Sequence, residues 1–165
     1  MPGSFDDFVD ERLDGLLRYA SVLTCDPDLA QDVVQEVLLR AQQKWRRIGP
    51  MAAPTAYVKR MITNEYLSWR RRRAVHEAAV VATARDELID DPSGSYNERE
   101  AMLARIAALP PKQRAALVLR YYEDRTDGEI AEMLGCGAST VRSHLARGLA
   151  SLRTDHVTTS TGDGS

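Results

Sequence analysis

The sequence predicts an all-α protein made of two small helical domains joined by an acidic linker. Apolar residues recur at helical spacing along most of the 165-residue chain, and runs that alternate as strands do are absent. Turn-forming pairs separate helical segments at Gly49-Pro50 and at Pro110-Pro111. An acidic, turn-rich stretch at 90–95 divides the chain, so we expect a compact set of helices on each side of it.

Three helices are expected in the first domain, residues 5–73. The first is amphipathic over its whole length. The second begins after Asp26, a good N-cap, with Pro27 at the first helical position, and we expect it to continue to Gly49-Pro50. The third starts near Pro54 and ends in a run of four arginines.

Residues 74–98 are predicted to be a linker, and residues 99–153 a second helical domain. The second half of the linker is acidic and rich in turn-forming residues. In the second domain, one helix ends before Pro110-Pro111 and another follows. The tail, residues 154–165, is rich in Thr, Ser and Gly, and we expect it to be disordered.

Residues 126–153 have the pattern of a helix-turn-helix. Thr126 and Glu129 form a capping box at the start of its first helix, and Gly135 supplies the left-handed residue that ends it. A second helix follows the turn at Cys136-Gly137, apolar on one side and rich in hydrogen-bond donors on the other. The donor side carries Ser139, Thr140, Arg142, Ser143, His144 and Arg147. Such a helix is typical of major-groove recognition, and the alternative is an ordinary helical hairpin with a solvated polar side.

The net charge of −2 conceals strong segregation along the chain. Residues 1–39 carry nine acidic and two basic residues, whereas residues 40–73 carry ten basic residues and one acidic residue. This distribution predicts one surface that binds a polyanion and a separate acidic surface for another partner.

The acidic residues of the second helix recur at one-turn spacing. Asp28, Asp32 and Glu36 stand at i, i+4 and i+8, with Gln31 and Gln35 beside them. Three interpretations remain open: a carboxylate metal site, a solvated helix face, and a protein-docking face rich in hydrogen-bond acceptors.

The basic block combines cations with aromatic residues on one helix. Arginines and lysines neutralise phosphates, and aromatic rings offer stacking surfaces for unpaired bases. For Tyr66 and Trp69, the alternative is a place in the hydrophobic core. The candidate DNA-binding residues of this helix are Lys59, Arg60, Asn64, Trp69, Arg70, Arg71, Arg72 and Arg73.

Other classes of protein find no support in the sequence. The two cysteines, Cys25 and Cys136, lie far apart, so no zinc site is indicated and reduced thiols in a cytoplasmic setting are expected. No long apolar stretch or secretory signal is present, so we expect no membrane insertion. No histidine groups with a nucleophile or paired carboxylates, and we therefore predict no enzymatic activity, no metal and no cofactor.

Three stretches in order carry a family resemblance: DLAQDVVQEVLLRA, then AYVKRMITNEYLSWRRRR, and finally ALPPKQRAALVLRYYEDRTDGEIAEMLGCGASTVRSHLARGLASLR. Together they closely resemble an extracytoplasmic-function (ECF) sigma factor of bacterial RNA polymerase, of the actinobacterial SigE-like group. The resemblance covers about residues 5–153. It departs from the common pattern at Ser68, where many members have aspartate, and at Gly137, where many have a serine cap.

The resemblance implies a division of labour. The first domain is similar to sigma region 2, in which Asp32, Gln35 and Glu36 would dock on the clamp helices of the largest polymerase subunit. The helix from Tyr57 to Arg73 would recognise and open the −10 element, with Asn64 near the extruded base. The second domain resembles region 4, which reads the −35 element and meets the flap region of polymerase. Promoter DNA, core polymerase and an anti-sigma factor are the partners that the resemblance implies.

Two rival functions stay open at this stage. A stand-alone transcriptional regulator would use the helix-turn-helix alone, which leaves the basic aromatic helix without a role. A small helical enzyme acting on nucleic acid would need a convergent set of carboxylates or histidines, which the sequence does not contain.

Overall fold

The computed structural model describes residues 3–81 and 98–160, and all regular structure within them is helical. The predicted all-α class is therefore confirmed. The first domain contains α1 (Phe5–Thr24), α2 (Pro27–Gln43), α3 (Trp45–Ile48) and α4 (Pro54–Val81). The second contains α5 (Glu98–Ala107), α6 (Pro111–Leu117), a π-helical turn (Val118–Tyr122), α7 (Asp127–Leu134) and α8 (Ala138–Ser160).

Local capping sets the hairpin between α1 and α2. The Ser4 hydroxyl accepts the backbone N–H of Asp7 at 3.1 Å and opens α1, which ends at Cys25 in the left-handed conformation (φ 58°). The Asp26 carboxylate then accepts two backbone N–H groups at the start of α2, with Pro27 in the first turn. These caps satisfy groups that the helix ends would otherwise leave unpaired, so the reversal takes only two residues.

The core of the first domain lies between α1, α2 and α4. Side chains from all three helices are buried, and a hydrogen bond of 2.5 Å joins the Tyr19 hydroxyl of α1 to the Thr63 hydroxyl of α4 inside it. The short α3 closes one end. Its Trp45 ring packs edge-on against Phe5, with ring centroids 5.4 Å apart, and Ile48 is fully buried.

In the second domain, α6, α7 and α8 enclose buried side chains that continue the core of the first domain. Leu119, Ile130 and Val141 are buried, each from a different segment. Gly148 lets α8 approach α6 closely, because a Cβ at that position would lie 2.9 Å from a methyl group of Leu117. The second helix of the helix-turn-helix thereby packs closely on α6.

Three predicted boundaries differ from the structure. The second helix ends at Gln43 instead of Gly49, because Lys44 leaves helical geometry (φ −109°, ψ 17°) and α3 restarts the chain. The predicted linker 74–98 is helical over residues 74–81, and the predicted disorder of 154–165 is wrong for residues 154–160. Both segments continue a long helix, and extension costs far less than nucleation. Residues 82–97 and 161–165 lie outside the described part of the chain.

Two glycine substitutions test the packing of the first domain. At Gly49, a Cβ would lie 2.9 Å from the Trp45 indole nitrogen and 3.0 Å from the Trp45 carbonyl oxygen. Gly49→Ala should therefore destabilise the protein by about 1–3 kcal/mol, because the ring or the backbone must shift. Gly15, inside α1, has no atom within 4 Å of the same position. Gly15→Ala should instead stabilise by roughly 0.5–1 kcal/mol. Urea unfolding of both variants measures the difference, and a stable Gly49→Ala protein would contradict the described packing.

Candidate nucleic-acid interface

The acidic face predicted on the second helix is present and exposed. Asp32, Gln35 and Glu36 point away from the buried face of α2 and are open to solvent. The Glu36 carboxylate accepts a hydrogen bond from Arg40 at 3.0 Å, and Leu39 beside them is 59% exposed. Within residues 3–81 and 98–160, no group of three or more His, Cys, Asp or Glu side chains could hold a metal ion. The metal interpretation therefore gains no support from the structure.

The predicted DNA-binding residues of α4 lie at different depths. Asn64, Arg71, Arg72 and Arg73 are exposed, whereas Lys59, Arg60, Trp69 and Arg70 are partly covered. The sequence left two roles open for Tyr66 and Trp69, a place in the core or a stacking surface, and the structure gives these residues different environments. Tyr66 is 1% exposed and belongs to the core, while Trp69 is half-buried with the Arg73 guanidinium 5.4 Å from its ring centre.

A chain of ion pairs beneath this surface was missed by sequence reasoning. The side chain of Glu65 is only 10% exposed, and its two oxygens lie 2.9 Å from Arg40 and 3.5 Å from Arg72. Arg72 also donates to the Ser68 hydroxyl at 2.8 Å. Glu65 thus joins α2 to α4 and fixes the direction of Arg72. One signal was available, since Glu65 is the only acidic residue in 40–73.

The helix-turn-helix has the predicted capping. The Thr126 hydroxyl accepts the Glu129 N–H at 3.1 Å, and the Glu129 carboxylate accepts the Thr126 N–H at 3.0 Å. Hydrogen bonds from the backbone and side chain of Thr126, and then from Arg125, lower the pKa of the Glu129 carboxyl. Gly135 adopts the left-handed conformation (φ 69°) and ends α7. On α8, Val141 faces the core, and the exposed donors are Ser139, Thr140, Arg142, Ser143 and Arg147.

His144 differs from the outward orientation expected for it. Its side chain is partly buried, and its Nδ1 has no hydrogen-bond partner among the described residues. It lines a cavity of about 380 Å³ between the two domains, together with Leu67, Arg70 and Lys112. Burial lowers the pKa of His144, and the positive charges of Lys112 and Arg147 lower it further.

The second domain packs directly against the basic helix. Lys59 Nζ of α4 lies 2.9 Å from both carboxylate oxygens of Glu123, at the end of the π-helical turn. Arg60 lies 3.7 Å from Glu132 of α7. A third contact comes from Arg114 of α6, which is 2% exposed and donates to the Thr24 carbonyl oxygen at 3.1 Å. Two of the predicted DNA-binding cations are therefore paired with carboxylates of the second domain.

Comparison with known proteins bears on both domains. The family model described as "Sigma-70 region 2" matches residues 8–75, and the one described as "Sigma-70, region 4" matches residues 99–152. None of the helices in the described ranges has the length and apolar character that crossing a membrane requires.

Similar chains of known name span most of this sequence. The RNA polymerase sigma-E factor of Streptomyces avermitilis is 36% identical over 90% of this chain and 83% of its own length. The ECF RNA polymerase sigma factor SigL of Mycobacterium tuberculosis is 34% identical over 87% of this chain and 84% of its own. Among solved structures, the sigma factor RpoE of Bartonella quintana, in complex with the anti-sigma factor NepR, has a similar fold (TM-score 0.68, 22% identity). That match covers 90% of this chain and 95% of the other.

Proposed function

This chain belongs to the sigma-70 family as an ECF sigma factor of RNA polymerase, and we propose that three separate surfaces divide its work. As a sigma factor, it directs core RNA polymerase to specific promoters and initiates transcription there. The single observation that supports this proposal is that the three surfaces lie on three different helices. An acidic face on α2, a basic helix α4 and a donor-rich face on α8 each present exposed polar groups on a scaffold with an apolar core.

The α2 face is the proposed polymerase-docking site. Asp32, Gln35 and Glu36 offer acceptors along about one turn, and the exposed Leu39 adds apolar area beside them. A surface that combines polar groups with an exposed apolar side chain is better suited to docking on a helical partner, such as the clamp helices, than a surface with polar groups alone. An anti-sigma factor is a further proposed partner.

The α4 surface is the proposed −10 site. Arg71 and Arg72 would meet phosphates, Asn64 would contact an unpaired base, and Trp69 would provide part of the stacking surface. Extrusion of a base costs a few kcal/mol, which these contacts must offset. Arg72 donates to the Ser68 hydroxyl at 2.8 Å, and its side chain stays 61% exposed, open to a phosphate. Arg70 and Arg73 extend the same basic surface, and Lys59 and Arg60 join it when they leave their present partners.

The exposed side of α8 is the proposed −35 site. Arg142, near the start of the helix, is suited to base edges, and Arg147, more than a turn later, to a phosphate. Ser139, Thr140 and Ser143 supply shorter donors. His144 is assigned to the same site, which it can reach only by leaving the cavity. In this scheme polymerase supplies catalysis, and the chain is a cytoplasmic specificity subunit without enzymatic activity of its own.

Polymerase docking is tested by replacing Gln35 and Glu36 with alanine. The fold should persist, because surface changes cost under about 0.5 kcal/mol. Affinity for core polymerase should fall by at least about 1–2 kcal/mol if these residues are central to the contact. Asp14→Ala, which removes an exposed carboxylate from α1, is the control. Titration of labelled protein with core enzyme provides the measurement, and equal affinities for wild type and a folded double variant would refute the assignment.

The role of Asn64 is tested with two kinds of template. Asn64→Ala should slow open-complex formation on duplex promoters more than on promoters already mismatched at −10, because the mismatch removes the cost of unpairing. Permanganate footprinting over time gives the rates. An equal defect on both templates would assign Asn64 a role other than opening.

Arg142 and Arg147 form a matched pair on α8. Arg142→Ala should cost about 1–3 kcal/mol and relax base preference at one or two −35 positions. Arg147→Ala should weaken binding evenly across sequences and reduce the salt slope by roughly one. A binding screen over −35 variants separates the two effects. Unchanged base preference in Arg142→Ala would remove this arginine from base reading.

A further inference from the structure

The ion pair between Lys59 and Glu123 occupies a cation that the proposed −10 site needs. Both Glu123 oxygens lie 2.9 Å from Lys59 Nζ, and the side chains of Lys59 and Glu123 are only 19% and 11% exposed. Lys59 also lies 5.6 Å from the centre of the buried Tyr19 ring. A carboxylate that presents two oxygens to one ammonium group offers it the same chemistry as a phosphate. Lys59 cannot bind both at once.

The position of Glu123 follows from local structure in the second domain. The π-helical turn ends at Tyr122, and Glu123 caps it, with its backbone N–H donating to the Val118 carbonyl oxygen at 3.1 Å. Single π-helical turns are rare and are frequently found at functional sites. A second, weaker contact follows on α7, where Glu132 is 3.7 Å from Arg60 and largely exposed. Two successive segments of the second domain thus direct carboxylates at α4.

The remaining interdomain contacts leave polar atoms unsatisfied. Arg114 donates one hydrogen bond to Thr24 and lies over the Tyr66 ring at 5.7 Å, but its Nε has no hydrogen-bond partner among the described residues. His144 Nδ1, in the cavity between the domains, is in the same situation. Buried polar atoms without partners oppose the closed arrangement. Beside the apolar residues that the two domains bury together, part of the interface is therefore made by polar groups that can exchange partners.

We propose that Glu123, assisted by Glu132, forms an interaction surface for the chain's own basic helix and keeps Lys59 and Arg60 from −10 DNA in the free protein. Lys59 and Arg60 can bind DNA phosphates only after the phosphates have displaced these two carboxylates. The hydrogen-bond donors of α8 stay exposed to solvent. Arg142 is 62% exposed, and its one ion-pair contact within the described residues, with Asp127, is long at 4.0 Å. Closure therefore masks two cations of the −10 site, Lys59 and Arg60, and leaves the exposed donors of α8 accessible. This inference rests on the proposed assignment of α4 to DNA.

The test compares Glu123→Gln with Glu11→Gln in the full chain. Glu11 is exposed on α1, so its variant makes the same change in net charge away from the interface. Small-angle X-ray scattering without DNA measures closure through the radius of gyration. Fluorescence anisotropy with labelled oligothymidylate measures access to the cations, because phosphate contacts do not depend on sequence.

Glu123→Gln should increase the radius of gyration and tighten oligothymidylate binding about fivefold or more, relative to Glu11→Gln. An unchanged radius of gyration would overturn the proposal. A larger radius without tighter binding would overturn it equally, because the released Lys59 would then not be a DNA ligand. Circular dichroism confirms that each variant is folded.

Lys59→Gln removes the other half of the same pair and keeps the test informative if Glu123→Gln folds poorly. Lys59→Gln should increase the radius of gyration as much as Glu123→Gln does. It should not tighten oligothymidylate binding, because the cation itself is gone. In the holoenzyme, Lys59→Gln should form open complexes more slowly than wild type. Normal open-complex formation by that holoenzyme would refute the assignment of Lys59 to DNA, whereas the radius of gyration reports on closure alone.

Discussion

The whole arrangement depends on one constraint on α4. The same few turns of this helix must pack into the hydrophobic core on one side and present cations to a polyanion on the other. Val58, Ile62 and Tyr66 recur every four residues and are buried against α1 and α2, which fixes the rotation of the helix. The opposite side is then free for Asn64 and the arginine run. Because the apolar positions set the helix rotation, the proposed DNA contacts are directed by packing and do not need a flexible loop to present them.

Concentrating ten basic residues within 40–73 creates repulsion that the fold relieves with carboxylates from elsewhere. Glu36 pairs with Arg40, Glu77 with Arg73, and Glu123 with Lys59, and all three acids lie outside that segment. The exposed pairs contribute little to stability. Lys59–Glu123 differs because it is largely shielded from solvent, so removing one partner leaves a half-buried charge unpaired. Charge that is segregated along the sequence is thus partly neutralised in the folded chain.

Local chemistry explains what the sequence could predict. Asp26-Pro27 at the start of α2, the Thr126–Glu129 capping box and left-handed Gly135 act within four residues, and the structure confirms each. Features that depend on distant partners were missed. Arg40 and Glu65 meet across 25 positions, and Lys59 and Glu123 across 64. No helical periodicity reports such pairings. The break at Lys44 was missed for a related reason, since a non-helical lysine carries no sequence signal comparable to proline or glycine.

The exchange of a carboxylate for a phosphate on Lys59 explains how a closed chain can remain ready to bind DNA. Both anions present oxygens to the same ammonium group, so the direct electrostatic gain on exchange is small. What separates them is the condensed layer of counterions on DNA, whose release favours the phosphate and does so more strongly at low salt. The unsatisfied Arg114 Nε and His144 Nδ1 weaken the closed state further. Within the proposed scheme, the interface is therefore strong enough to occupy Lys59 and Arg60 in the free chain and weak enough for DNA and polymerase together to open it.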